Sequence, residues 1–129
     1  MEKLLLVGLG GFLGTVARYA LGGLVVRLKV GASFPYETLV VNALGCLAIG
    51  FLAGLAETRG IFSGTTRAFL FIGLLGGFTT FSSFGYETVM LLRHGQAAVA
   101  AWSVSLQLVL GLGAVWAGDV AARLLGGAR

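Results

Sequence analysis

Four long apolar runs determine what this chain can fold into. They cover residues 4–26, 38–56, 68–92 and 95–122, and short polar links separate them. Each run has about 19 residues or more, enough for a helix that rises about 1.5 Å per residue to cross a hydrocarbon core about 30 Å thick. The sequence therefore predicts an all-α membrane protein, a single domain of four transmembrane helices.

The composition excludes an ordinary soluble domain. Of the 129 residues, 57% are hydrophobic and 11% are charged. A soluble protein of average composition carries about 25% charged residues, which cover its core with a polar surface. The net charge of +4 comes from basic residues that stand singly, so we do not expect nucleic acid as a partner. We expect the lipid bilayer to surround the helices.

Glycines recur at four-residue spacing inside the apolar runs. Gly10, Gly14 and Gly22 follow one ridge of the first predicted helix, and Gly50 and Gly54 form a GxxxG motif in the second. Small residues on one ridge let membrane helices approach closely, where van der Waals contact replaces hydrophobic burial. The spacing predicts a tightly packed bundle. Because four thin helices enclose little interior, we expect an oligomer if a polar species is to cross.

The basic residues of the links give a weak orientation signal. With a cytoplasmic N-terminus, the cytoplasmic side carries five and the other side three: Lys3, Arg59, Arg67, Arg123 and Arg129 against Arg27, Lys29 and Arg93. The positive-inside rule predicts a firm orientation only from a larger bias. Two interpretations stay open: a single, weakly biased topology, and a chain that inserts in both directions and pairs with its own inverted copy.

Polar side chains at membrane depth mark candidate functional sites, because their burial is costly. Arg18 continues the ridge of Gly10 and Gly14, so it is predicted to face protein, either to attract anions or to extend towards the headgroups. Asn42 lies one turn after Thr38 on the same face and offers two amide donors. It is a candidate to bind a polar species or to hold two helices together.

The end of the third run and the fourth run add further polar side chains. Glu87 lies late in the third run, while Ser103 and Gln107 share one face of the fourth predicted helix and Gly111 continues their row. No group of His, Cys and carboxylates has the spacing of metal ligands, and no nucleophile has a base close by in the sequence. We therefore do not expect an enzyme.

The stretch GLLGGFTTFSSFGYE, residues 73–87, places small and polar residues in the middle of the third run. The pair Gly76 and Gly77 weakens a helix, and the hydroxyls of Thr79 and Thr80 can satisfy backbone groups that a break would free. A broken helix at membrane depth persists only where it is buried in protein or lines a watery path, and its carbonyls and amide dipoles can bind ions. We predict a third helix broken near its centre.

Two phenylalanines follow at helical spacing. Phe81 and Phe84 share a face, with Ser82 and Ser83 between them. A phenyl ring has a negative face and a positive edge. Ring edges together with Ser, Thr and Asn donors would suit a small anion without a fixed cation, although the spacing alone favours two lipid-facing side chains.

Three segments together resemble one known family. GGFLGTVARY (residues 10–19), ETLVVNALGCLAIG (37–50) and GLLGGFTTFSSFGYE (73–87) are similar to the signature segments of the Fluc family of small fluoride channels, also called CrcB. Their order, the four spans and the total length match as well, so the resemblance covers essentially the whole chain. The third segment is the most specific, with Ser83 where a Thr is more usual.

The resemblance implies a fluoride-selective channel in the plasma (inner) membrane of a prokaryote. Members of the family are antiparallel homodimers that arise by dual-topology insertion and contain two pores, through which fluoride leaves the cell passively while chloride is rejected. This chain is therefore expected to pair with an inverted copy of itself, which fits the weak charge bias. Fluoride holds its water tightly, so a pore must offer donors to the ion without binding it too firmly.

The resemblance also assigns residues to the pore and to a metal site. The pore set comprises Phe81, Phe84, Asn42, Thr38, Ser82, Ser83, Arg18, Ser103 and Gln107. In this set the arginine matches a residue at the mouth of the pore, and the two fourth-helix residues match a row that is usually richer in hydroxyls. A structural sodium ion on the dimer axis would be held by the backbone carbonyls of Gly76 and Thr79 from both subunits.

Two other functions share features with this sequence. A small dual-topology exporter of cationic drugs would have the same size, number of spans and weak charge bias. Such a transporter needs a membrane-embedded carboxylate, however, and the first run holds Arg18 and no acid. A membrane scaffold without transport would leave Asn42 and the pair of Phe81 and Phe84 unexplained. The fluoride channel is therefore the expected function.

Overall fold

A computed structural model describes residues 1–28 and 33–126 of the chain, and the regular structure among these residues is helical, with no strand. Four helical segments of the described part are long and apolar enough to cross a membrane. They are Glu2–Leu28, Tyr36–Arg59, Gly64–Arg93 and Ala97–Gly126. The prediction of an all-α protein with four membrane-spanning helices is confirmed. Two residues of the orientation tally, Lys29 and Arg129, lie outside the described residues.

We number the helices α1 (Glu2–Leu28), α2 (Tyr36–Arg59), α3 (64–78), α4 (Phe81–Arg93) and α5 (Ala97–Gly126). The links between successive spans are short, so neighbouring spans run in opposite directions. Helix α1 packs along α3, and α2 packs along α5 over most of their lengths. One end of the bundle therefore holds the end of α1, the start of α2, the end of α4 and the start of α5.

The glycine ridges lie at the closest helix contacts. A Cβ atom at Gly10 would stand 2.7 Å from the Phe69 carbonyl oxygen, and one at Gly14 would collide with the backbone of α3, 2.8 Å from the Phe78 nitrogen. On the other side of the bundle, a Cβ at Gly54 of α2 would stand 2.7 Å from that of Ala122 on α5. The predicted tight packing through small residues is thus present in both helix pairs.

The third span is broken at its centre, as predicted, but the break falls just after the glycine pair. Thr79 and Thr80 are extended, with φ and ψ of −82° and 158° and of −149° and 110°. Gly76 keeps helical angles of −63° and −36°. A Cβ at Gly77 would stand 2.5 Å from the Gly11 carbonyl oxygen, so this glycine is needed for contact with α1. The glycines allow close approach, and the threonines form the break.

The segment before the break is unusually wound. Residues Ala68–Leu75 of α3 form a π-helix, which is followed by one α-helical turn, Gly76–Phe78. π-Helical segments are rare and often lie at functional sites. Here the wider winding leads directly into the two extended threonines, so the chain departs from regular α-helix over much of the centre of the third span.

Candidate functional site

One side chain from α2 holds the break. The Thr80 N–H donates to Asn42 Oδ1 at 2.8 Å, and Asn42 Nδ2 donates to the Thr80 carbonyl at 3.1 Å. The amide therefore satisfies both backbone polar groups of the residue that leaves the helix. Such groups are very costly when left unpaired at membrane depth. A single residue of α2 thus stabilises the break from outside the third span.

The side chain of Thr80 caps the start of α4, as the Asn42 side chain caps the backbone at the break. The Thr80 side-chain oxygen accepts from the Ser83 N–H at 3.1 Å and lies 3.0 Å from the Ser83 hydroxyl. This is the usual role of Thr before the first turn of a helix. The Ser82 hydroxyl lies 3.3 Å from the same oxygen and is exposed. Thr80 is therefore bonded at its N–H, its carbonyl and its hydroxyl, whereas the sequence predicts only that its hydroxyl can satisfy backbone groups freed by the break.

These two caps release two backbone carbonyls. In a continuous α-helix the Gly76 carbonyl would accept from the Thr80 N–H and the Thr79 carbonyl from the Ser83 N–H. Both donors are directed instead to side-chain oxygens, Asn42 Oδ1 and Thr80 Oγ1. The carbonyls of Gly76 and Thr79 are the two predicted sodium ligands. Carbonyl oxygens freed from the helix fit a hard cation such as sodium.

A cavity of about 350 Å³ lies beside the break, between α2, the third span and α5. We call it the central cavity. Its described lining is Asn42, Gly45, Cys46, Ile49, Phe71, Leu75, Gly76, Thr79, Thr80, Phe81, Phe84, Gln107 and Leu108. None of these residues is acidic or basic. The cavity brings together four predicted pore residues, namely Asn42, Phe81, Phe84 and Gln107, with both residues predicted to hold sodium.

The polar groups of the central cavity include one free donor. Asn42 Nδ2 lies 3.4 Å from Gln107 Oε1, while Gln107 Nε2 is buried and has no hydrogen-bond partner among the described residues. The rings of Phe81 and Phe84 meet edge to face, with centroids 5.5 Å apart. An amide donor without a partner and two aromatic rings therefore line one cavity. Such a lining can receive a small anion without a fixed positive charge.

A second cavity, of about 230 Å³, lies next to the first. We call it the outer cavity, because it lies towards the end of the bundle where α1 and α4 end. Its lining is Thr15, Arg18, Tyr19, Glu37, Thr38, Val41, Thr80, Ser83 and Glu87. The two cavities share Thr80. Three predicted pore residues, Arg18, Thr38 and Ser83, line this cavity and not the central cavity.

Glu87 brings a carboxylate into the outer cavity. Thr38 Oγ1 donates to Glu87 Oε1 at 2.6 Å, while Glu87 Oε2 is buried and has no partner among residues 1–28 and 33–126. The hydroxyl predicted to lie near Asn42 is therefore bonded to this acid. The pair joins α2 to α4 at 49 residues' separation. The spacing of Thr38 and Asn42 predicts their shared face but does not reveal this partner.

The two remaining predicted residues, Ser82 and Ser103, line neither cavity. Ser103 on α5 is only 1% exposed and lines neither cavity. Gln107, one turn further along, lines the central cavity. The helical spacing of the pair predicts that both face the bundle, which they do. Only the second residue reaches the break, because Ser103 is packed inside the bundle.

Comparison with known proteins places the chain in a family. The sequence model of the family described as CrcB-like protein, Camphor Resistance (CrcB), matches residues 5–119. A relative from Methylobacillus flagellatus is 49% identical over 118 residues, which cover 92% of each chain. One from Nitratidesulfovibrio vulgaris is 46% identical over 125 residues, covering 97% of this chain and all of the relative. A third, from Thermus thermophilus, is 51% identical over 112 residues, 87% and 88% of the two chains.

All three relatives carry the name fluoride-specific ion channel FluC. The range matched by the family model, residues 5–119, spans the break and the residues that line both cavities. The family resemblance seen in the three sequence segments is thereby confirmed, and this chain belongs to the CrcB-like family.

Proposed function

We propose that this protein conducts fluoride passively out of the cell as an antiparallel homodimer with two pores and a structural sodium ion. Four membrane-spanning helices and bacterial relatives make the chain a multi-pass protein of the plasma membrane. Its relatives are named as fluoride-specific ion channels, so the function is transport and not enzymatic catalysis. The observation that carries the proposal is the central cavity, in which a free amide donor and two aromatic rings stand beside a broken helix.

The chemistry of the central cavity suits fluoride. Fluoride must exchange its tightly held water for other donors, and it must leave again. The Nε2 group of Gln107 can donate to it, and the rings of Phe81 and Phe84 offer a weak, neutral contact. A lysine or arginine in this position would hold the anion too firmly. A carboxylate would repel it, and the described lining of the cavity contains none.

The exposed side of the central cavity supports a dimer. Phe81 is 82% exposed in the single chain, although it lies next to the polar groups of Asn42 and Thr80 at the centre of the membrane. Irregular backbone and amide side chains at this depth must be covered by protein or lie in a watery path. A second copy of the chain would cover them and complete two equivalent pores. Inverted pairing fits the tally of five basic residues against three.

The freed carbonyls support the sodium proposal. Gly76 and Thr79 carry backbone oxygens whose helical donors are taken by side chains, and hard oxygen ligands suit sodium. When bound between two copies, the ion would join them and add positive potential near the pores. Flame emission on dimer purified in sodium buffer and desalted should find about one sodium per two chains. A sodium content no higher than that of the desalting buffer would refute this part of the proposal.

The channel function is tested by a flux measurement. Purified protein is reconstituted into liposomes loaded with potassium fluoride, valinomycin is added to balance charge, and a fluoride electrode reads the external solution. We expect rapid fluoride release, and no chloride release from liposomes loaded with potassium chloride. Folded, dimeric protein that releases no fluoride would refute the proposed function. Release of both anions at similar rates would refute its selectivity.

A further inference from the structure

Two opposite charges line the mouth of the outer cavity without pairing with each other. Arg18 of α1 and Glu37 at the start of α2 both line it. Neither side chain forms a hydrogen bond or ion pair with any residue in 1–28 or 33–126. A third charged group, Glu87 of α4, lies deeper and is bonded to Thr38. An anion entering here therefore meets one guanidinium and two carboxylates.

The position of Glu37 is set by a glycine of α1. A Cβ atom at Gly22 would stand 2.7 Å from Glu37 Cδ and 2.8 Å from its Cγ, and it would collide with Oε1. The carboxylate therefore lies against the bare backbone of α1, one turn beyond Arg18, while the residue stays exposed at the cavity mouth. Gly22 is buried by this contact. The glycine ridge that packs α1 against α3 ends by making room for an acid at the cavity mouth.

We propose that Glu37 limits the rate at which fluoride enters the outer cavity by repelling it, and that Gly22 holds the carboxylate where this repulsion acts. The inference rests on the proposed function, because it concerns the rate of fluoride passage. It differs from that function in that selectivity is not involved. A single charge at a mouth acts alike on all monovalent anions, whereas the choice of fluoride depends on donors further in.

The charge balance at the mouth explains the expected effect. With Glu37 ionised, the positive potential of Arg18 is opposed at the point of entry. Removing one carboxylate charge leaves Arg18 to attract anions, with only the half-buried Glu87 among the described lining residues opposing it. Interactions between partly exposed charges weaken with ionic strength, because the screening length falls from about 30 Å at 0.01 M to about 3 Å at 1 M. The influence of Glu37 must therefore depend strongly on salt.

The test compares initial fluoride efflux from liposomes at low and high ionic strength, adjusted with potassium gluconate as an impermeant salt. Glu37→Gln should release fluoride about threefold faster than the wild type at low ionic strength. Glu37→Lys should be faster still. Both ratios should approach one at high ionic strength. Glu2→Gln removes an exposed carboxylate at the far end of α1 and should match the wild type throughout.

Several results would overturn the inference. Efflux through Glu37→Gln that equals or falls below the wild-type rate at low salt would do so, as would a ratio that stays the same at high salt. Should the Gln variant fail to assemble, Gly22→Ala provides the second test, because the added methyl group displaces the carboxylate and keeps every charge. It should raise low-salt efflux as well, and an unchanged rate would overturn the role of Glu37.

The two proposals fail in different ways. If wild-type protein releases no fluoride at all, the proposed function is wrong. If the wild type releases fluoride and the Glu37 variants do not differ from it, the channel stands and the inference about Glu37 is wrong. Chloride-loaded liposomes with Glu37→Gln complete the set, and we expect no chloride release from them. Chloride release would show that Glu37 takes part in selectivity, contrary to the inference.

Discussion

Both polar atoms of the Asn42 amide form hydrogen bonds that stabilise the break in the third span. Its oxygen accepts from the Thr80 N–H, and its nitrogen lies near two acceptors, the Thr80 carbonyl and Gln107 Oε1. Sequence reasoning leaves open whether Asn42 binds a polar species or joins two helices. In the structure it joins α2 to the break while lining the central cavity. The free donor of that cavity is consequently Gln107 Nε2, which Asn42 orients by engaging the oxygen of the same amide.

Asn42→Asp should abolish fluoride efflux. The substitution replaces the amide donors by a carboxylate oxygen, so the Thr80 carbonyl loses its partner and a negative charge faces Gln107 Oε1. An unpaired buried carbonyl costs about 1–3 kcal/mol, and the charge repels the anion. The liposome assay measures the efflux, with size-exclusion chromatography to confirm assembly. Wild-type flux in this variant would remove Asn42 from the pore.

Phe81→Ile should abolish or greatly slow fluoride efflux while the protein still assembles. Isoleucine fills similar space but has no ring edge, and it loses the edge-to-face contact with Phe84. Phe12→Ile is the matched control, since Phe12 of α1 is 65% exposed and lines neither cavity. The control should conduct like the wild type. Normal conduction by Phe81→Ile would disprove the aromatic contribution.

At the scale of helices, the fold is organised by glycine contacts that the sequence predicts well. The ridge of Gly10 and Gly14 meets α3, and its continuation at Gly22 meets Glu37. For Gly76 and Gly77 the sequence predicts a weakened helix with a break after Gly76, and the break does follow them, at Thr79 and Thr80. Both lie before the break, and Gly77 contacts Gly11 of α1. A glycine inside a helix can either weaken that helix or let a second helix approach closely. The sequence of one helix does not reveal what packs against it, so it does not distinguish the two roles.

Gly14→Ala should destabilise the protein, and Gly23→Ala should not. A Cβ at Gly14 collides with the backbone of α3, which has no flexible end to move away, whereas a Cβ at Gly23 meets nothing within 4 Å. Overpacking of this kind costs about 1–3 kcal/mol. We expect the melting temperature in detergent to fall by roughly 5 °C for Gly14→Ala. For Gly23→Ala it should stay the same or rise slightly, because alanine favours a helix.

Equal melting temperatures for these two variants would contradict the packing of α1 on α3. The comparison is well matched, because both are glycine-to-alanine changes in the same helix. They differ only in what faces the new methyl group. A loss of fluoride efflux in Gly14→Ala alone would further connect this contact to the break, since Phe78, whose backbone nitrogen the methyl group would approach, directly precedes Thr79.

At the scale of the whole molecule, the sequence predicts the helices better than it predicts which side chains contact each other. The four spans, the broken third span and the protein-facing side of Arg18 follow from local patterns of apolar, small and polar residues. The bonds that form the site join residues far apart in the chain, 38 residues for Asn42 and Thr80 and 49 for Thr38 and Glu87. Local periodicity carries no information about such pairs. The family resemblance identifies most of the candidate pore residues, and the structure shows which side chains and backbone groups they contact.

If the chain inserts in both directions, either end of the bundle should be found outside the cell in about half of the copies. Ser33→Cys places a thiol at one end with no change in charge, in a background where Cys46 is replaced by alanine. A membrane-impermeant maleimide on intact cells should label about half of this protein, and all of it after detergent permeabilisation. Ser63→Cys, at the other end, should give the same fraction. Complete labelling of one position and none of the other would indicate a single topology and exclude an inverted pair.

The dependence of the break on Asn42 has a consequence for biogenesis. When the third span lies in lipid before α2 packs against it, the Thr80 N–H cannot donate to Asn42. The nearest acceptor is then the Gly76 carbonyl, one helical turn earlier in the chain. The third span should therefore leave the translocon as an uninterrupted helix and open only when α2 docks. A peptide of residues 64–93 in micelles should show helical amide exchange protection through Thr80, and an already broken peptide would disprove this order. The pore would then form only late in assembly. A partly folded chain would lack it and would not make the membrane permeable to ions.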